Sequence, residues 1–330
     1  MHSRLRHVGP TAVLGLALVL TGCSSGAGSP SAASRSGGSG GSGADGPSAS
    51  ASGSASASGD PSAGDGGSAG PASGTAYRSY AALGDSYTAA PLVPSTDTSN
   101  ACLRSTGNYP SLVAAAMPQV RLRDVSCSGA DSTSLAGPQQ TGRGSVPPQL
   151  AALSRTTDLV TIGIGGNDAN LFGTLVGTCS QLRGAGPGGS PCHDRLTAGG
   201  QDPLRTALRE IRANVRSDVA AIRRRSPHAT VVVVGYPQIV PQHGTCPQLP
   251  LAAGDYAYGR EVNRGLADAV RSGARGADAY VDVFAASAGH DVCARDPWVN
   301  GAQTDPSRAL AFHPFAEEQQ AVAELVLKAI

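Results

Sequence analysis

Apolar positions along the 330-residue chain fall into three regimes. An apolar run spans about Val8 to Leu20, and residues 24–76 hold no apolar side chain larger than Ala or Pro. From Tyr77 onward Val, Leu and Ile return in short blocks. Five blocks predict buried strands: Tyr80–Leu83, Val120–Val125, Leu159–Ile164, Thr230–Val234 and Ala279–Val283. The valines at 231–234 are continuous rather than alternating, the pattern of a strand covered on both faces in a parallel sheet. Between the strands the apolar spacing changes to three and four. Leu204, Leu208, Ile211, Val215, Val219 and Ile222 make one stripe of a helix over about Pro203 to Arg225. Asp202 is placed to cap it, with Pro203 at the first helical position. Further helices are expected from about Ala253 to Ser272 and from Pro314 almost to the C-terminus. Strands alternating with helices imply a parallel sheet sandwiched by helices, in one α/β domain over residues 77–330. Ala90–Asn108 and Gly173–Gly200 predict no definite element, and no internal repeat is visible.

The first two regimes have a different character. Arg4 and Arg6 precede an apolar run too short for a transmembrane span of about 20 residues. A basic start and a short apolar core make a secretory signal over residues 1–22. Leu20-Thr21-Gly22-Cys23 resembles the bacterial lipobox. That resemblance implies a diacylglycerol thioether on Cys23, which becomes the mature N-terminus. The membrane is then a partner through the acyl anchor, and the protein sits on the extracellular face of the cell membrane or is shed from it. An ordinary signal peptide with a chance cysteine, or an uncleaved anchor, is the alternative. Apart from Arg35, Asp45, Asp60, Asp65 and Thr75, residues 24–76 are all Gly, Ser, Ala or Pro. Such a stretch cannot bury enough surface to offset its ordering entropy. Residues 23–76 therefore read as a lipidated cysteine and a flexible tether, with a span of roughly 40 Å. The tether is either a spacer through a wall layer or an insert with no length requirement.

Composition narrows the partners. Net charge is +1 and 15% of residues are charged, which gives no support to a nucleic-acid or acidic-polymer binder. The 44 glycines follow no strict Gly-X-Y period, which excludes collagen. With Cys23 set aside, Cys102, Cys127, Cys179, Cys192, Cys246 and Cys293 remain. An even set in an exported domain implies disulfides, and six cysteines allow 15 pairings. Pairing in sequence order, Cys102–Cys127, Cys179–Cys192 and Cys246–Cys293, is the simplest, each bridge nominally stabilising by roughly 3–4 kcal/mol through loop closure. No CxxC or His-rich cluster supports a metal site, and none is expected.

The candidate chemistry lies where strands end. Gly84-Asp85-Ser86 follows the first strand, and ligand sites of open α/β sheets lie at such carboxyl ends. A serine hydroxyl is a weak nucleophile until a base takes its proton. Alone, Gly-Asp-Ser is equally an ordinary turn with a capping residue. Three further blocks change that reading. Cys127-Ser128-Gly129-Ala130 follows the second strand, Gly165-Gly166-Asn167-Asp168 follows the third, and Phe312-His313-Pro314 opens the last helix.

Together, in this order, the four blocks resemble the SGNH, or GDSL, hydrolase family. The cysteines and Pro297-Trp298-Val299-Asn300 are also similar to actinobacterial secreted members. The resemblance implies a three-layer α/β/α, flavodoxin-like fold and hydrolysis of carboxylic esters with no cofactor. By the same resemblance Ser86 is the nucleophile and His313 the general base. The oxyanion donors are the Ser86 amide, the Gly129 amide and the Asn167 side chain. Asp85 and Asp168 are expected to hold loops and cap helices. Of the other histidines, His2 and His7 leave with the signal. His193, His228, His243 and His290 lack the His-Pro-helix context.

One departure stands out. The family carries Asp three residues before the histidine, and here that position is Leu310. A backbone carbonyl near Leu310 is expected to orient the imidazole, giving a Ser–His dyad; Asp305 folding back, or a more distant acid, is the alternative. The reading is a monomeric, surface-anchored esterase or lipase acting on an ester or lipid. The alternatives are a phospholipase, a deacetylase of cell-wall or plant polysaccharide, a non-catalytic solute-binding lipoprotein, or a structural wall protein.

Overall fold

A computed structural model describes residues 77–330; the expected signal, Cys23 and tether lie outside the described residues. All five expected strands form, as β1 (Ser79–Gly84), β2 (Arg121–Asp124), β3 (Leu159–Gly163), β4 (Thr230–Val234) and β5 (Ala279–Val281). They make one parallel sheet in the order β2-β1-β3-β4-β5. The flanking helices are α1 (Ser86–Ala89), α2 (Tyr109–Ala116), α3 (Pro203–Arg225), α4 (Asp255–Gly273) and α5 (Ala316–Ala329).

The continuous apolar runs are explained by two separate cores. Ala81, Leu83, Val160, Ile162, Val231 and Val233 point to one face, against Ile211, Val215 and Val219 of α3 and Val262, Leu266 and Val270 of α4. The alternate residues Tyr80, Ala82, Leu159, Val232 and Val234 point to the other, against Val113 of α2 and Val322 and Val326 of α5. Strands β1, β3 and β4 are buried on both sides, and the domain is a three-layer α/β/α sandwich. Edge strand β2 alternates between exposed and half-buried positions, so its pattern is the weakest of the five.

Boundaries shift where other bonds compete. Helix α3 has the predicted limits, and Asp202 caps it by accepting from the amides of Leu204 and Arg205. Helix α4 starts at Asp255 rather than Ala253, because the Ala253 and Gly254 amides are given to the carbonyls of Pro187 and Gly189. Helix α5 starts at Ala316 because Pro314 bridges Val299 and the Phe315 amide bonds to Trp298. Strand β5 stops at Val281, where Asp282 caps a short helix over Val283–Ala286. Helix α2 and a hairpin pairing Gln139–Thr141 with Gly144–Val146 have no counterpart in the sequence expectations. The cysteines pair in sequence order, as Cys102–Cys127, Cys179–Cys192 and Cys246–Cys293.

The strand order reverses between β1 and β3. In doubly wound sheets a crevice opens at that switch point, beyond the carboxyl ends of the strands. The Ser86, Gly129 and Asn167 loops leave β1, β2 and β3 at this end.

Candidate active site

The turn after β1 admits only glycine at its first position. Gly84 has φ +154°, and a Cβ there would sit 2.2 Å from Thr88 Oγ1 and 2.6 Å from the Gly163 carbonyl. The Gln149 carboxamide holds both its backbone groups, accepting from the Gly84 amide at 2.8 Å and donating to its carbonyl at 2.9 Å. Asp85 then caps α1 by accepting from the Tyr87 amide at 2.9 Å. The Tyr236 hydroxyl donates to its other oxygen at 2.5 Å. Burial pushes the Asp85 carboxyl up to about 7, against the lowering effect of these bonds. Ser86 opens α1 as a buried residue. Its hydroxyl makes no hydrogen bond to His313 in this structure, nor to any other described residue. Catalytic bonds commonly tighten only with substrate bound.

The second and third loops are fastened to the first and to each other. The Cys127 amide donates to the Gly84 carbonyl at 3.0 Å, and the Cys102–Cys127 bridge pins the same loop. Gly129 has φ +78°, a left-handed conformation that glycine adopts without a steric cost. Asn167 Nδ2 donates to the Ala130 carbonyl at 2.8 Å, which orients the carboxamide and leaves its second N–H for a ligand. Asp168 accepts at 2.8 Å from each of the Ser132 amide, the Ser132 hydroxyl and Asn214 Nδ2. It ties the two loops to α3, a loop-holding role. Tyr236 also accepts from the Gly166 amide at 2.8 Å, so one phenol joins the Asn167 loop to Asp85.

His313 meets this assembly through aromatic packing. Its Nδ1 lies 2.8 Å from the Ala311 carbonyl. A carbonyl only accepts, so Nδ1 carries the proton and Nε2 is left as the basic nitrogen. The acceptor is one residue on from the expected Leu310 carbonyl. That carbonyl instead receives the His313 amide at 3.2 Å and Asn300 Nδ2 at 3.1 Å. Phe312 has φ +58°, and this turn aims Ala311 at the ring. Asp305 does not fold back: its exposed carboxylate accepts from the Ser307 amide at 2.9 Å and hydroxyl at 2.6 Å, bonds that hold it below its ordinary pKa. Burial lowers the His313 pKa, opposed by the Ala311 bond. The Tyr87 hydroxyl donates to the Phe312 carbonyl at 2.6 Å, and its ring packs on His313 at 5.6 Å. His290 is committed elsewhere, bonding the Asp296 carbonyl at 2.7 Å and stacking on Trp298 at 4.6 Å.

The sequence expectations missed the aromatic cluster of Tyr87, Phe172 and Tyr236, whose rings pack at 5.3–5.4 Å. A signal existed: Tyr87 follows Ser86 directly, and Tyr236 sits just past the end of β4, where site residues collect. Among the described residues no group of three or more His, Cys, Asp or Glu is arranged to hold a metal ion.

Comparison with known proteins gives a consistent set. The family model described as GDSL-like Lipase/Acylhydrolase matches residues 82–321. The chain is 43% identical to Lipase 2 of Streptomyces coelicolor over 235 residues, covering 68% of this chain and 75% of that protein. It is 33% identical to a lipase of Streptomyces rimosus over 247 residues, covering 73% and 82%. Among solved structures it is similar to phospholipase A1 from Streptomyces albidoflavus NA297, with TM-score 0.64, 28% identity, and coverage of 77% of this chain and 100% of that one. The extracellular lipase of Streptomyces rimosus gives TM-score 0.63 and 31% identity, covering 76% and 99%.

Proposed function

Since the chain belongs to the GDSL-like lipase/acylhydrolase family and is a carboxylic ester hydrolase, we propose that Ser86 and His313 carry its chemistry as a dyad. His313 Nε2 takes the proton as Ser86 Oγ attacks the ester carbonyl carbon. The negative charge moves to the carbonyl oxygen, where the Ser86 amide, the Gly129 amide and Asn167 Nδ2 receive it. Collapse breaks the bond to the alcohol oxygen, which takes the proton back from His313 and leaves an acyl-Ser86. Water then repeats the sequence with His313 as base, releasing the acid. The observation that carries this reading is the imidazole anchored at 2.8 Å on Ala311 beside Tyr87, the neighbour of Ser86. A carbonyl fixes tautomer and orientation with less stabilisation of the imidazolium than a carboxylate provides.

Hydrolysis of aryl esters of graded acyl length by the oxidised protein tests this function. No turnover of any ester would sink it. In the same assay Asp305→Ala keeps kcat/KM within about threefold of wild type, because its carboxylate bonds only its own turn. A thousandfold loss would replace the dyad by a triad. The likeness to a phospholipase A1 supports phospholipid esters as the second substrate class. Deacetylation of a polysaccharide is the third, and nothing in the family supports a solute-binding or structural wall protein.

Placement follows the same logic. Likeness to an extracellular lipase and three disulfides support an exported protein. No described helix is long and apolar enough to cross a membrane. We read residues 1–22 as the signal, Cys23 as the acylated N-terminus, residues 24–76 as the tether and residues 77–330 as a monomeric catalytic domain. Cys23→Ser abolishes incorporation of a radioactive fatty acid; persistent labelling would exclude the anchor.

A further inference from the structure

We propose that Gln139 is a positioning residue that fixes the direction in which the Gly129 amide points. This rests on the reading above, in which that amide receives the oxyanion, and adds what holds it in place. Cys127, Ser128, Gly129 and Ala130 form a tight turn, closed by the Ala130 amide donating to the Cys127 carbonyl at 3.0 Å. Three of its four amides are spent inside the protein: Cys127 on the Gly84 carbonyl, Ser128 on the Cys102 carbonyl, and Ala130 on the turn itself. Gly129 is exposed, and its amide donates to no described residue. It is the one donor of the turn left for a ligand.

The turn bond does not settle where that donor aims. Gly129 occupies the third place of the turn at φ +78°, the value that a type II turn puts there. Type I and type II turns share the same closing bond and differ by rotation of the central peptide through roughly 180°. Here the central peptide joins the Ser128 carbonyl to the Gly129 N–H. Glycine enters either form without a steric cost, so its own N–H is free to face either way.

Gln139 removes that freedom. Its Nε2 donates to the Ser128 carbonyl at 2.9 Å, and a Cβ on Gly129 would lie 3.7 Å from the same nitrogen. In a trans peptide the carbonyl and the N–H point in opposite directions. Holding the Ser128 carbonyl toward Gln139 therefore holds the Gly129 N–H away from it, on the other side of the turn. The flipped peptide would break this bond and set a carbonyl, an acceptor, where the oxyanion develops. The carboxamide has no competing task, since the bond to Ser128 is the one hydrogen bond this side chain makes among the described residues. Its backbone is fixed as well, because Gln139 pairs with Val146 in the hairpin. Placing an amide there for a single bond is a poor way to gain stability, because desolvation offsets most of what the bond returns.

The test uses the oxidised, full-length protein and p-nitrophenyl acetate. Gln139→Leu removes the donor at similar size. It lowers kcat about ten- to hundredfold, less than outright loss of an oxyanion donor because the turn still samples the productive form. KM stays within twofold and the melting temperature near wild type. Gln139→Glu keeps the shape but sets a carboxylate against the Ser128 carbonyl at neutral pH, so it loses at least as much kcat; a side chain that only filled space would be replaced by glutamate without loss. Gly129→Ala is strained at φ +78° and comfortable in the flipped turn, so it lowers kcat by itself. Adding Gln139→Leu to it costs little more, since both reach the same flipped peptide. Wild-type kcat in both Gln139 variants beside a loss in Gly129→Ala overturns the positioning role and leaves the Gly129 donor standing. So does a loss of kcat that tracks the melting temperature, or losses that multiply in the double variant. Wild-type kcat in Gly129→Ala, or turnover that survives Ser86→Ala, instead removes the reading on which the proposal rests.

Discussion

Ser86→Ala and His313→Ala each lower kcat for ester hydrolysis by about 10⁴- to 10⁶-fold, and the double variant is no worse than either single one. In the proposed dyad the two side chains act as one device: without the base the hydroxyl keeps its proton, and without the hydroxyl the base has no nucleophile to activate. What survives is the contribution of oxyanion donors and binding, a residual rate still above that of water. Effects that multiplied would show the two residues acting in separate steps. The pH profile gives a second readout. Only neutral His313 accepts a proton, so kcat/KM falls on the acid side as the ring protonates. Burial lowers the His313 pKa, and the Ala311 carbonyl raises it less than burial lowers it. The acid limb therefore lies below the ordinary histidine value of about 6.5, and activity is already level at neutral pH. A carboxylate partner would favour the imidazolium and move the limb upward. Its position separates the dyad from a triad without any substitution.

The distribution of what could be read in advance has physical causes. Strands β1, β3 and β4 showed because a strand buried on both faces is largely apolar along its length, as Val231–Val234 are. Helix α3 showed because its stripe is long and its cap is a side chain. Helix α2 did not: Tyr109–Ala116 has a proline at its second position, ends in three alanines and buries only Tyr109, Pro110 and Val113, leaving little contrast between faces. The Gln139–Val146 hairpin has three-residue strands with no buried position, so neither period appears in it. The histidine's partner was legible only as far as a backbone carbonyl near Leu310. A backbone carbonyl has no letter in the sequence, and only the φ of Phe312 selects Ala311 over Leu310. The absence of an aspartate at Leu310 showed that something unusual stood there, but not which carbonyl. Tyr87, Phe172 and Tyr236 come from three separate stretches, and their packing exists only after the sheet has formed.

Asn167→Ala lowers kcat by about 10²- to 10³-fold with little change in KM, the loss expected for one oxyanion-hole donor. The reason lies in how the amide is held. Nδ2 spends one hydrogen on the Ala130 carbonyl at 2.8 Å, so the second is aimed before substrate arrives and needs no reorganisation during reaction. The effect should be local. The loop backbone is secured by the three bonds of Asp168 and by the Tyr236 bond to Gly166, none of which involves the Asn167 side chain. Folding stability then falls only by the worth of one neutral hydrogen bond, about 1 kcal/mol. Asn167→Asp is the sharper variant. It keeps the shape, removes the donor and sets a negative charge against the developing oxyanion, so it loses more kcat than alanine does. A residue that merely capped its own turn would behave in the opposite way. Alanine would then lower the melting temperature while kcat stayed near wild type, and aspartate, as good a cap as asparagine, would restore both.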